Sequence, residues 1–335
     1  MSSTAALDTR TQVLDRLRAE ERFILVTHEH PDGDALGSLV AMQETLIALG
    51  KDSLMFMPAT ELPLPYEYRF FPLEDLISVL PADLQQRTVV FLDCGNVDRN
   101  PAPVLRGGTQ LINIDHHHDN TRFGTIDHVV PEASCTAEIV WDLMGGLGVD
   151  PTPVSADALY VGLVTDTGRF MYENTGPRAH VMAAELIEAG VNVQDVYRRL
   201  YEGTPDAKLK LLARALANVR RHDGGHLTLT LLSAADYAAA VAQESYSEGV
   251  IDVLRAVEGT KVAALVRDQV SVGRTALRKV SLRSTDGEVD VSVIARVQGG
   301  GGHRRAAGFS SAQSAEELID FLRAQIAAQL APAPL

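Results

Sequence analysis

Residues 111–120 of the chain read LINIDHHHDN, an apolar run that ends in an aspartate followed by three histidines. A short apolar run is typical of a buried strand, and parallel sheets present functional groups where their strands end. A single histidine is usually a satisfied polar group in a core. Three in succession behind Asp115 are harder to explain by packing, although alternate side chains of a strand point to opposite faces. The stretch therefore predicts a strand that ends in a functional site, provided that other segments supply partners.

Two further predicted strands also end in polar side chains. Residues 22–27 (RFILVT) lead into His28 and the loop sequence HEHPDGD, and residues 87–93 (RTVVFLD) end in Asp93. Residues 35–49 have helical spacing and are followed by a glycine, so that strand, loop and helix begin a βαβ unit. Parallel strands place their carboxyl ends at one edge of a sheet. The sequence therefore predicts an α/β domain with one convergent site at these strand ends.

Each acidic residue of this set also has an ordinary structural explanation. Asp32 and Asp34 flank a glycine in good turn chemistry. Asp93 could cap a helix, and Asp166 could be the polar end of the helix predicted for residues 155–164. Carboxylates that converge without matching lysines would repel one another and have raised pKa values. Because two dications would cancel four carboxylate charges, the set predicts a metal site that can admit an anionic phosphate.

The mixture of oxygen and imidazole ligands indicates which cations such a site would bind. It suits Mn²⁺ best, with Mg²⁺, Co²⁺ or Zn²⁺ as alternatives. Two ions roughly 3.5–4 Å apart can clamp both oxygens of an in-line phosphoryl displacement. The predicted reaction class is therefore metal-assisted hydrolysis of a phosphoester.

The composition limits the class of protein. The chain has 335 residues, 46% of them hydrophobic and 22% charged, as in an ordinary globular protein with room for two domains. A formal net charge of −14 argues against a general surface for long or duplex nucleic acid, but it allows a short polyanion in a local basic pocket. Cys94 and Cys135 are too few for a disulfide framework or a thiolate zinc cluster. A polar N-terminus and the lack of an apolar run of roughly 18–20 residues predict a cytoplasmic protein without a membrane span.

A glycine-rich stretch near the C-terminus is accompanied by positive charge. Residues 299–308 read GGGGHRRAAG. Four glycines alone are typical of a flexible turn, but glycines also let backbone N–H groups approach a phosphate closely. His303, Arg304 and Arg305 occur within the stretch, and Arg283 lies upstream in VSLRS. In so acidic a chain, this local basic group predicts a binding site for a phosphate.

These motifs resemble those of a known superfamily. Residues 28–38 (HEHPDGDALGS), 91–95 (FLDCG), 114–117 (IDHH) and 162–170 (GLVTDTGRF) resemble the four successive motifs of the DHH phosphoesterases. The GGGGHRRAAG stretch is similar to the glycine-rich motif of the DHH-associated C-terminal domain. The motifs occur in the family's order and extend from residue 28 to residue 308. The chain is most similar to the NrnA-type bifunctional oligoribonuclease and pAp phosphatase branch.

The resemblance implies a fold of α/β class with separate catalytic and substrate-binding parts. It implies a parallel-sheet DHH catalytic domain at residues 1–190 and a helical connector at residues 191–221. A smaller α+β DHH-associated domain would occupy residues 222–330, with the active-site cleft between the two domains. The resemblance also implies a homodimer.

The resemblance assigns roles to individual residues. The first metal would be bound by His28 and Asp32, the second by Asp34, His116 and Asp166, with Asp93 bridging the two. Asp115 would orient a histidine, and His117 would face the scissile phosphate as an electrostatic stabiliser or proton donor. The implied catalytic residues are thus Asp115, His116 and His117. The implied binders of a terminal phosphate are Arg283, Gly300, Gly301, Gly302, His303 and Arg304.

Several residues close to the motifs have weaker or double interpretations. His30 and His118 are expected to be peripheral, and Cys94 is expected to pack in the core. Phe170 and Tyr172 follow the last of the four motifs and could either stack a nucleobase or pack in the core.

The resemblance further implies a substrate class. The leading hypothesis is Mn²⁺-dependent hydrolysis of short RNA oligonucleotides to mononucleotides and of adenosine 3′,5′-bisphosphate (pAp) to AMP. The alternatives are cleavage of cyclic di-AMP or its linear product pApA, RecJ-like degradation of long single-stranded DNA, and nucleotide binding without turnover. A family II pyrophosphatase resembles the first domain but lacks this type of second domain.

Overall fold

The computed structural model describes residues 3–100, 102–107, 110–268 and 277–331. The chain divides between Gly203 and Thr204 into two compact units. The residues of the predicted connector form a helix in each unit and then a short strand at Arg220–His222, which no alternating pattern in the sequence announces. The domain boundaries given above stay predictions.

A parallel sheet forms the centre of the first unit. Its five strands are Arg22–Val26 (β1), Asp52–Met55 (β2), Thr88–Leu92 (β3), Leu111–Asp115 (β4) and Ile126–Val129 (β5). Their spatial order is β2-β1-β3-β4-β5, and each neighbouring pair is parallel. Strands β3 and β4 are buried along their whole length, as expected for parallel strands covered on both faces. Because β3 lies between β1 and β4, the three predicted site-bearing strands end next to one another.

Helices pack against this sheet through a continuous apolar core. The helices of the first unit are Ser3–Ala19 (α1), Gly33–Ala48 (α2), Thr136–Leu147 (α3), Pro153–Asp166 (α4), Pro177–Glu188 (α5) and Val193–Tyr201 (α6). Short 3₁₀ turns occupy Ala59–Glu61, Tyr66–Tyr68, Leu84–Gln86, Val97–Arg99 and Pro103–Gly107. A second apolar cluster covers the opposite face of β1 and β3.

Glycines allow α2, α3 and α4 to approach closely beside the sheet. A Cβ on Gly37 would lie 2.3 Å from the Ala158 carbonyl oxygen. A Cβ on Gly162 would lie 2.8 Å from the Ala137 Cβ and 3.0 Å from Asp34 Oδ1. No side chain fits at such distances without displacing its neighbours. The close approach places the buried Asp34 among all three helices.

The second unit is built on a mixed sheet. Its elements are Asp206–Ala217 (α7), Arg220–His222 (β6), Leu227–Leu232 (β7), Ala234–Ala240 (α8), Val250–Arg255 (α9), Val262–Asp268 (β8), Arg278–Ser284 (β9), Val291–Val297 (α10), Gly301–His303 (β10), Ala306–Ser311 (β11) and Ala315–Leu330 (α11). The strand order is β10-β11-β9-β8-β7-β6, in which only β7 and β8 are parallel. Helices α10 and α11 share one apolar cluster, and α7, α8 and α9 share another. The predicted α/β class, with a parallel sheet followed by a smaller mixed α and β part, is confirmed.

Candidate metal and catalytic site

Acidic and imidazole side chains gather where β1, β3 and β4 end. We call this set the Asp/His cluster; it consists of His28, Asp32, Asp34, Asp93, His116, His117 and Asp166. The structure thus brings together residues from four separate motifs, as the parallel arrangement of the strands predicts.

The cluster contains overlapping groups with metal-ligand spacing. In the first group, His28, Asp32 and Asp93 offer ligand atoms that all lie within 4.8 Å of one another. The same limit holds for a group of Asp34, His116 and Asp166, and for one of Asp93, His116 and His117. The groups overlap, because the group of Asp93, His116 and His117 shares Asp93 with the first group and His116 with the second.

Asp93 occupies the central position in the cluster. It directly follows β3 and has a left-handed backbone with φ of 58°, which is uncommon outside glycine and is often found at functional sites. Its Oδ1 accepts a hydrogen bond of 3.0 Å from the Thr136 hydroxyl. His28 Nε2 lies 3.5 Å from its Oδ2, while His116 Nε2 and His117 Nδ1 lie 3.7 and 3.6 Å from its Oδ1. Imidazoles that follow β1 and β4, the strands on either side of β3, therefore face one carboxylate.

Asp34 is held by the first turn of another helix. Its Oδ2 accepts from the Thr136 amide at 2.7 Å and its Oδ1 from the Ala137 amide at 2.8 Å. These amides open α3, where free N–H groups and the helix dipole favour a negative charge. Asp32 caps α2, with Oδ1 accepting from the amides of Asp34 and Ala35. Asp32 therefore has the structural role that its turn sequence predicts, and the same residue also belongs to a group with metal-ligand spacing.

The carboxylate of Asp166, the last residue of α4, is anchored by an asparagine. Asn174 Nδ2 lies 3.0 Å from Asp166 Oδ2, 3.1 Å from the Asp166 carbonyl oxygen and 2.7 Å from the Ser134 carbonyl oxygen. With three acceptors around Nδ2, the amide has one sensible orientation. Ser134 is in turn fixed by the buried Glu138, whose Oε2 accepts from the serine amide and hydroxyl. A neutral donor thus orients Asp166 without cancelling its charge.

Asp115 supports the second imidazole of the histidine run. His117 Nδ1 donates to Asp115 Oδ1 at 2.8 Å, and Asn120 Nδ2 donates to Asp115 Oδ2 at 2.5 Å. Burial lowers the pKa of His117, but the hydrogen bond with Asp115 and the charges of Asp93 and Asp115 outweigh burial and raise this pKa to about 9. His117 therefore keeps its proton at neutral pH in the metal-free protein.

Burial and mutual repulsion govern the acidic members of the cluster. Burial raises the pKa of Asp34 well above its usual range, and the charges of Asp93 and Asp166 add to this effect. Burial also raises the pKa of Asp166 to about 7, against the opposing charge of His116. Burial acts on Asp93 in the same direction, yet its hydrogen bond with His28 and the charges of nearby imidazoles hold its pKa below the ordinary value. In the absence of a cation, protons supply the positive charge that the cluster requires.

The donor set fits divalent cations. Buried carboxylates that share protons with imidazoles are stabilised in their charged form when a dication replaces those protons. His28 is prepared for this role because its Nδ1 lies 2.6 Å from the Glu29 carbonyl oxygen, which directs Nε2 toward Asp93. A mixture of carboxylate oxygens and imidazole nitrogens is the ligand type used for Mn²⁺ and similar ions. The chain therefore has a possible His/Asp metal site.

Comparison with known proteins identifies the family. The DHH family, N-terminal domain, matches residues 22–163, and the DHHA1 domain matches residues 234–330. The bifunctional oligoribonuclease and PAP phosphatase NrnA of Thermus thermophilus is 36% identical over 301 residues, which cover 88% of this chain and 86% of the relative. The chain belongs to the DHH phosphoesterase family. The protein of the same name from Bacillus subtilis is 25% identical over 306 residues, covering 90% and 93% of the two chains.

Solved structures of low sequence identity share the fold. An exopolyphosphatase-related protein from Bacteroides fragilis superposes with a TM-score of 0.86 at 22% identity, covering 96% of each chain. RecJ from Thermus thermophilus in complex with Mn²⁺ gives a TM-score of 0.57 at 16% identity, covering 100% of this chain and 56% of RecJ. These similarities show a DHH fold.

The residues with weaker interpretations lie outside the cluster. His30 is exposed, with Nδ1 3.1 Å from Glu61 Oε2, and His118 is also exposed. Cys94 is buried and its thiol donates to a backbone carbonyl at 3.1 Å. The Phe170 ring stacks on His180 at 5.0 Å between centroids, next to the apolar core.

The predicted phosphate-binding residues lie together in the sheet of the second unit. Arg283 on β9 pairs with Ala306 on β11, which pairs with His303 on β10, so the three form one row across neighbouring strands. Arg283 donates to the Leu282 carbonyl oxygen and makes no ion pair with a carboxylate among the described residues. Arg304 is exposed and donates to the Gly287 carbonyl oxygen at 2.9 Å. The side chain of His303 lies outside the described part of the structure.

Packing explains two of the predicted phosphate-binding glycines. A Cβ on Gly300 would lie 2.2 Å from the Gly308 carbonyl oxygen, and one on Gly302 would lie 2.5 Å from the Ala306 carbonyl oxygen. Gly302 also has φ of 132°. By contrast, nothing lies within 4 Å of the Cβ position of Gly301. The stretch therefore runs from a turn at Gly299 into the edge strand β10, and of the three glycines predicted to bind phosphate only Gly301 is open.

Thr136 and Asn174 are functional candidates that the sequence motifs did not reveal. Thr136 lies 43 residues from Asp93, and only the folded chain brings its hydroxyl to that carboxylate. Asn174 follows Asp166 by eight residues in an irregular turn, so no helical or strand period connects the two. The only feature of the sequence that could have indicated Asn174 is that it is a polar amide close to the end of a motif.

Binding of a cation should stabilise the metal-free protein more strongly at high pH than at low pH. The raised pKa of Asp166, about 7 against an ordinary 3.8, means that the unfolded chain releases this proton first. Stability from this group therefore falls as the pH rises from about 4 to about 7. Mn²⁺ at one fixed concentration, about 100 times its Kd at pH 8, should raise the Tm by several degrees at pH 8 and by clearly less at pH 5, where protons compete for the ligands. Thermal unfolding of EDTA-treated and Mn²⁺-reloaded protein measures this, and equal shifts at both pH values would contradict it.

Replacing Asn174 with alanine should weaken Mn²⁺ binding. Loss of the Nδ2 donor frees the Asp166 carboxylate to rotate, and residues that orient a metal ligand typically change affinity about 10- to 100-fold. Calorimetric titration of the metal-stripped protein measures the affinity directly. Met171→Ala, an 82% exposed position in the same turn, is the matched control and should bind as the wild type does. Unchanged affinity in Asn174→Ala would remove Asn174 from the site.

Proposed function

We propose that this chain hydrolyses short RNA oligonucleotides to mononucleotides and converts pAp to AMP, with two divalent cations, most suitably Mn²⁺, as cofactors. Support comes from relatives named for both activities that match most of the chain at 36% and 25% identity. The observation that carries the proposal is Asp93, a carboxylate common to two groups of ligand atoms. Such a pair of centres suits the displacement at a phosphoester.

The proposed ligands follow the groups in the structure. His28 and Asp32 hold the first cation, and Asp34, His116 and Asp166 hold the second, with Asp93 between them. When bound, a pair of divalent cations would polarise the phosphoryl oxygens and lower the pKa of a bound water. The backbone amides at the start of α3 keep Asp34 in place throughout.

His117 is the proposed residue that meets the scissile phosphate. Asp115 fixes the orientation of its ring through Nδ1 at 2.8 Å. The imidazole is partly exposed, whereas Asp115 is buried. A protonated imidazole held in one orientation can stabilise negative charge on the phosphoryl group or give a proton to the leaving oxygen. We assign both functions to His117 and the orienting function to Asp115.

The second unit is proposed to bind the terminal phosphate of the substrate. Arg283 and the open Gly301 lie in one sheet, on strands β9 and β10, with β11 between these strands. Because Arg283 has no carboxylate partner in the described residues, its guanidinium can form two parallel hydrogen bonds to a phosphate. An anchor that recognises a chain end favours short oligonucleotides over long strands. Gly300, Gly302, His303 and Arg304 complete the proposed anchor. The homodimer implied by the family resemblance stays a prediction.

Asp93→Asn should reduce turnover by at least about 100-fold with little change in the Tm of the metal-free protein. The substitution removes the carboxylate charge that the group of His28 and Asp32 shares with the group of His116 and His117, but it keeps the shape, and asparagine tolerates a left-handed backbone. Release of mononucleotides from di- to pentaribonucleotides and of phosphate from pAp, with metal-stripped and Mn²⁺-reloaded protein, measures the effect. The matched control is Asp119→Asn, an exposed position beside the histidine run.

The same assay decides among the alternatives. Cyclic di-AMP, pApA and long single-stranded DNA are included as substrates, and faster turnover of one of these would replace the proposed substrate class. Binding of nucleotides without turnover in the presence of Mn²⁺ would indicate a regulator. Substantial activity in Asp93→Asn would refute the central role of Asp93.

Arg283→Ala should mainly raise KM for phosphorylated dinucleotides, by about 10-fold, with a small effect on kcat. The guanidinium is proposed to bind a phosphate remote from the reacting bond, and loss of a charged hydrogen bond costs about 1.5–3 kcal/mol. Lys279→Ala is the matched control, because Lys279 is an exposed cation on the same strand. An unchanged KM in Arg283→Ala, or an equal rise in Lys279→Ala, would remove Arg283 from the substrate site.

A further inference from the structure

A strained turn follows the last acidic residue of the Asp/His cluster. Three successive residues, Gly168, Arg169 and Phe170, have left-handed backbones with φ of 55°, 63° and 64°. Arginine and phenylalanine rarely adopt this conformation, because it is strained for residues with a side chain. The turn begins two residues after Asp166, so the strain lies directly beside the candidate metal site.

The turn is held by the fully buried Thr167. The threonine hydroxyl donates to the Leu163 carbonyl oxygen at 2.6 Å and accepts from the Phe170 amide at 3.1 Å. The Thr167 carbonyl oxygen accepts from the amides of Met171 and Tyr172, both at 3.0 Å. These bonds fix the left-handed residues in one conformation. The side chains of the turn are therefore presented in a defined arrangement.

The turn carries Arg169 and Tyr172, and Arg169 contacts Tyr201 at the end of α6. The Arg169 guanidinium lies over the Tyr201 ring, 5.1 Å from its centroid, and Arg169 has no carboxylate partner among the described residues. The Tyr172 ring lies against Gly168, where a Cβ would be 2.5 Å from the ring atoms, and yet 47% of Tyr172 is exposed. One face of that ring is thus supported by backbone. Tyr197 adds a ring 5.2 Å from that of Tyr201.

Tyr68 links this aromatic group to the Asp/His cluster. The Tyr68 hydroxyl lies close to the backbone of Gly33, which directly follows Asp32. Burial raises the pKa of Tyr68, and the charge of Asp32 and the proximity of Tyr201 raise it further. The 3₁₀ turn that carries Tyr68 packs against α6, the helix that ends at Tyr201. The aromatic group and the cluster are therefore neighbours within the first unit.

We propose that Arg169, Tyr172 and Tyr201 form a subsite for the nucleobase of the nucleotide whose phosphate is cleaved; this rests on the proposed function. A base has a flat π-face that stacks on tyrosine rings and on guanidinium planes, whatever its identity. None of these three side chains is arranged to recognise the hydrogen-bonding edge of one particular base. It therefore binds any base, as an enzyme acting on RNA fragments of mixed sequence requires.

The test compares a ligand with a base to the same ligand without one. AMP and ribose 5-phosphate are titrated calorimetrically into the full-length, Mn²⁺-loaded wild type and into Tyr201→Leu and Arg169→Met. We expect the wild type to bind AMP about 10-fold more tightly than ribose 5-phosphate, since stacking accounts for such a difference. The preference should fall to about 2-fold or less in both variants. Arg169 is exposed, so that its variant keeps the fold even if Tyr201→Leu does not.

Two further variants separate stacking from general damage. Tyr201→Phe keeps a ring and should keep most of the preference. Arg198→Met is the matched control, because Arg198 is an exposed arginine in an ion pair on α6, and it should behave as the wild type does. No preference for AMP in the wild type, or a full preference in both Tyr201→Leu and Arg169→Met, would overturn the subsite.

Failure of the subsite and failure of the proposed function give different results. A wild type that prefers AMP in this way but hydrolyses no oligonucleotide and no pAp would refute the proposed function and support the subsite. A wild type that hydrolyses dinucleotides but shows no preference for AMP would refute the subsite and leave the proposed function in place.

Discussion

Buried negative charge at the end of three neighbouring strands is the constraint on which the first unit depends. Asp34, Asp93 and Asp115 are almost fully buried, and Asp166 lies close to them. Ionised carboxylates at such distances repel one another unless positive charge is present. In the metal-free protein, protons on carboxyl groups and imidazoles provide it. The arrangement of the strands therefore requires positive charge, as protons or as cations, at this edge of the sheet.

The surrounding groups hold these carboxylates without neutralising them. Asp34 is bound by two amides of α3, Asp93 by the Thr136 hydroxyl and Asp166 by the Asn174 amide. Neutral donors orient a carboxylate while its charge remains available to a cation, whereas lysine or arginine would compete with the cation. Among the described residues, no lysine or arginine forms an ion pair with the cluster's aspartates. This pattern separates a metal site from a structural ion-pair network.

Sequence reasoning predicted the parts of this site that lie on regular elements. Asp93 and Asp115 could be recognised because each ends an apolar strand, and strand ends meet at one edge of a parallel sheet. The hydroxyl of Thr136 and the amide of Asn174 could not, because no period relates them to their partners. The strand at Arg220–His222 was missed for a similar reason, since three mostly exposed residues show no apolar alternation. The local sequence pattern predicts where strands end and which motifs are present. The contacts that turns make with distant residues depend on the complete fold.

The glycine-rich stretch shows how one sequence pattern can satisfy two physical requirements. Gly300 and Gly302 are required by the close approach of β11, independently of any ligand. A run of glycines is therefore weak support for phosphate binding, because sheet packing alone would select it. The stronger support is the Arg283 guanidinium, which has no carboxylate partner in the described residues. It lies on β9, separated from the run by β11, in a chain of net charge −14. In an acidic protein, an arginine left without a carboxylate indicates an anion supplied from outside, and this argues for a phosphate at Arg283 more directly than the glycines do.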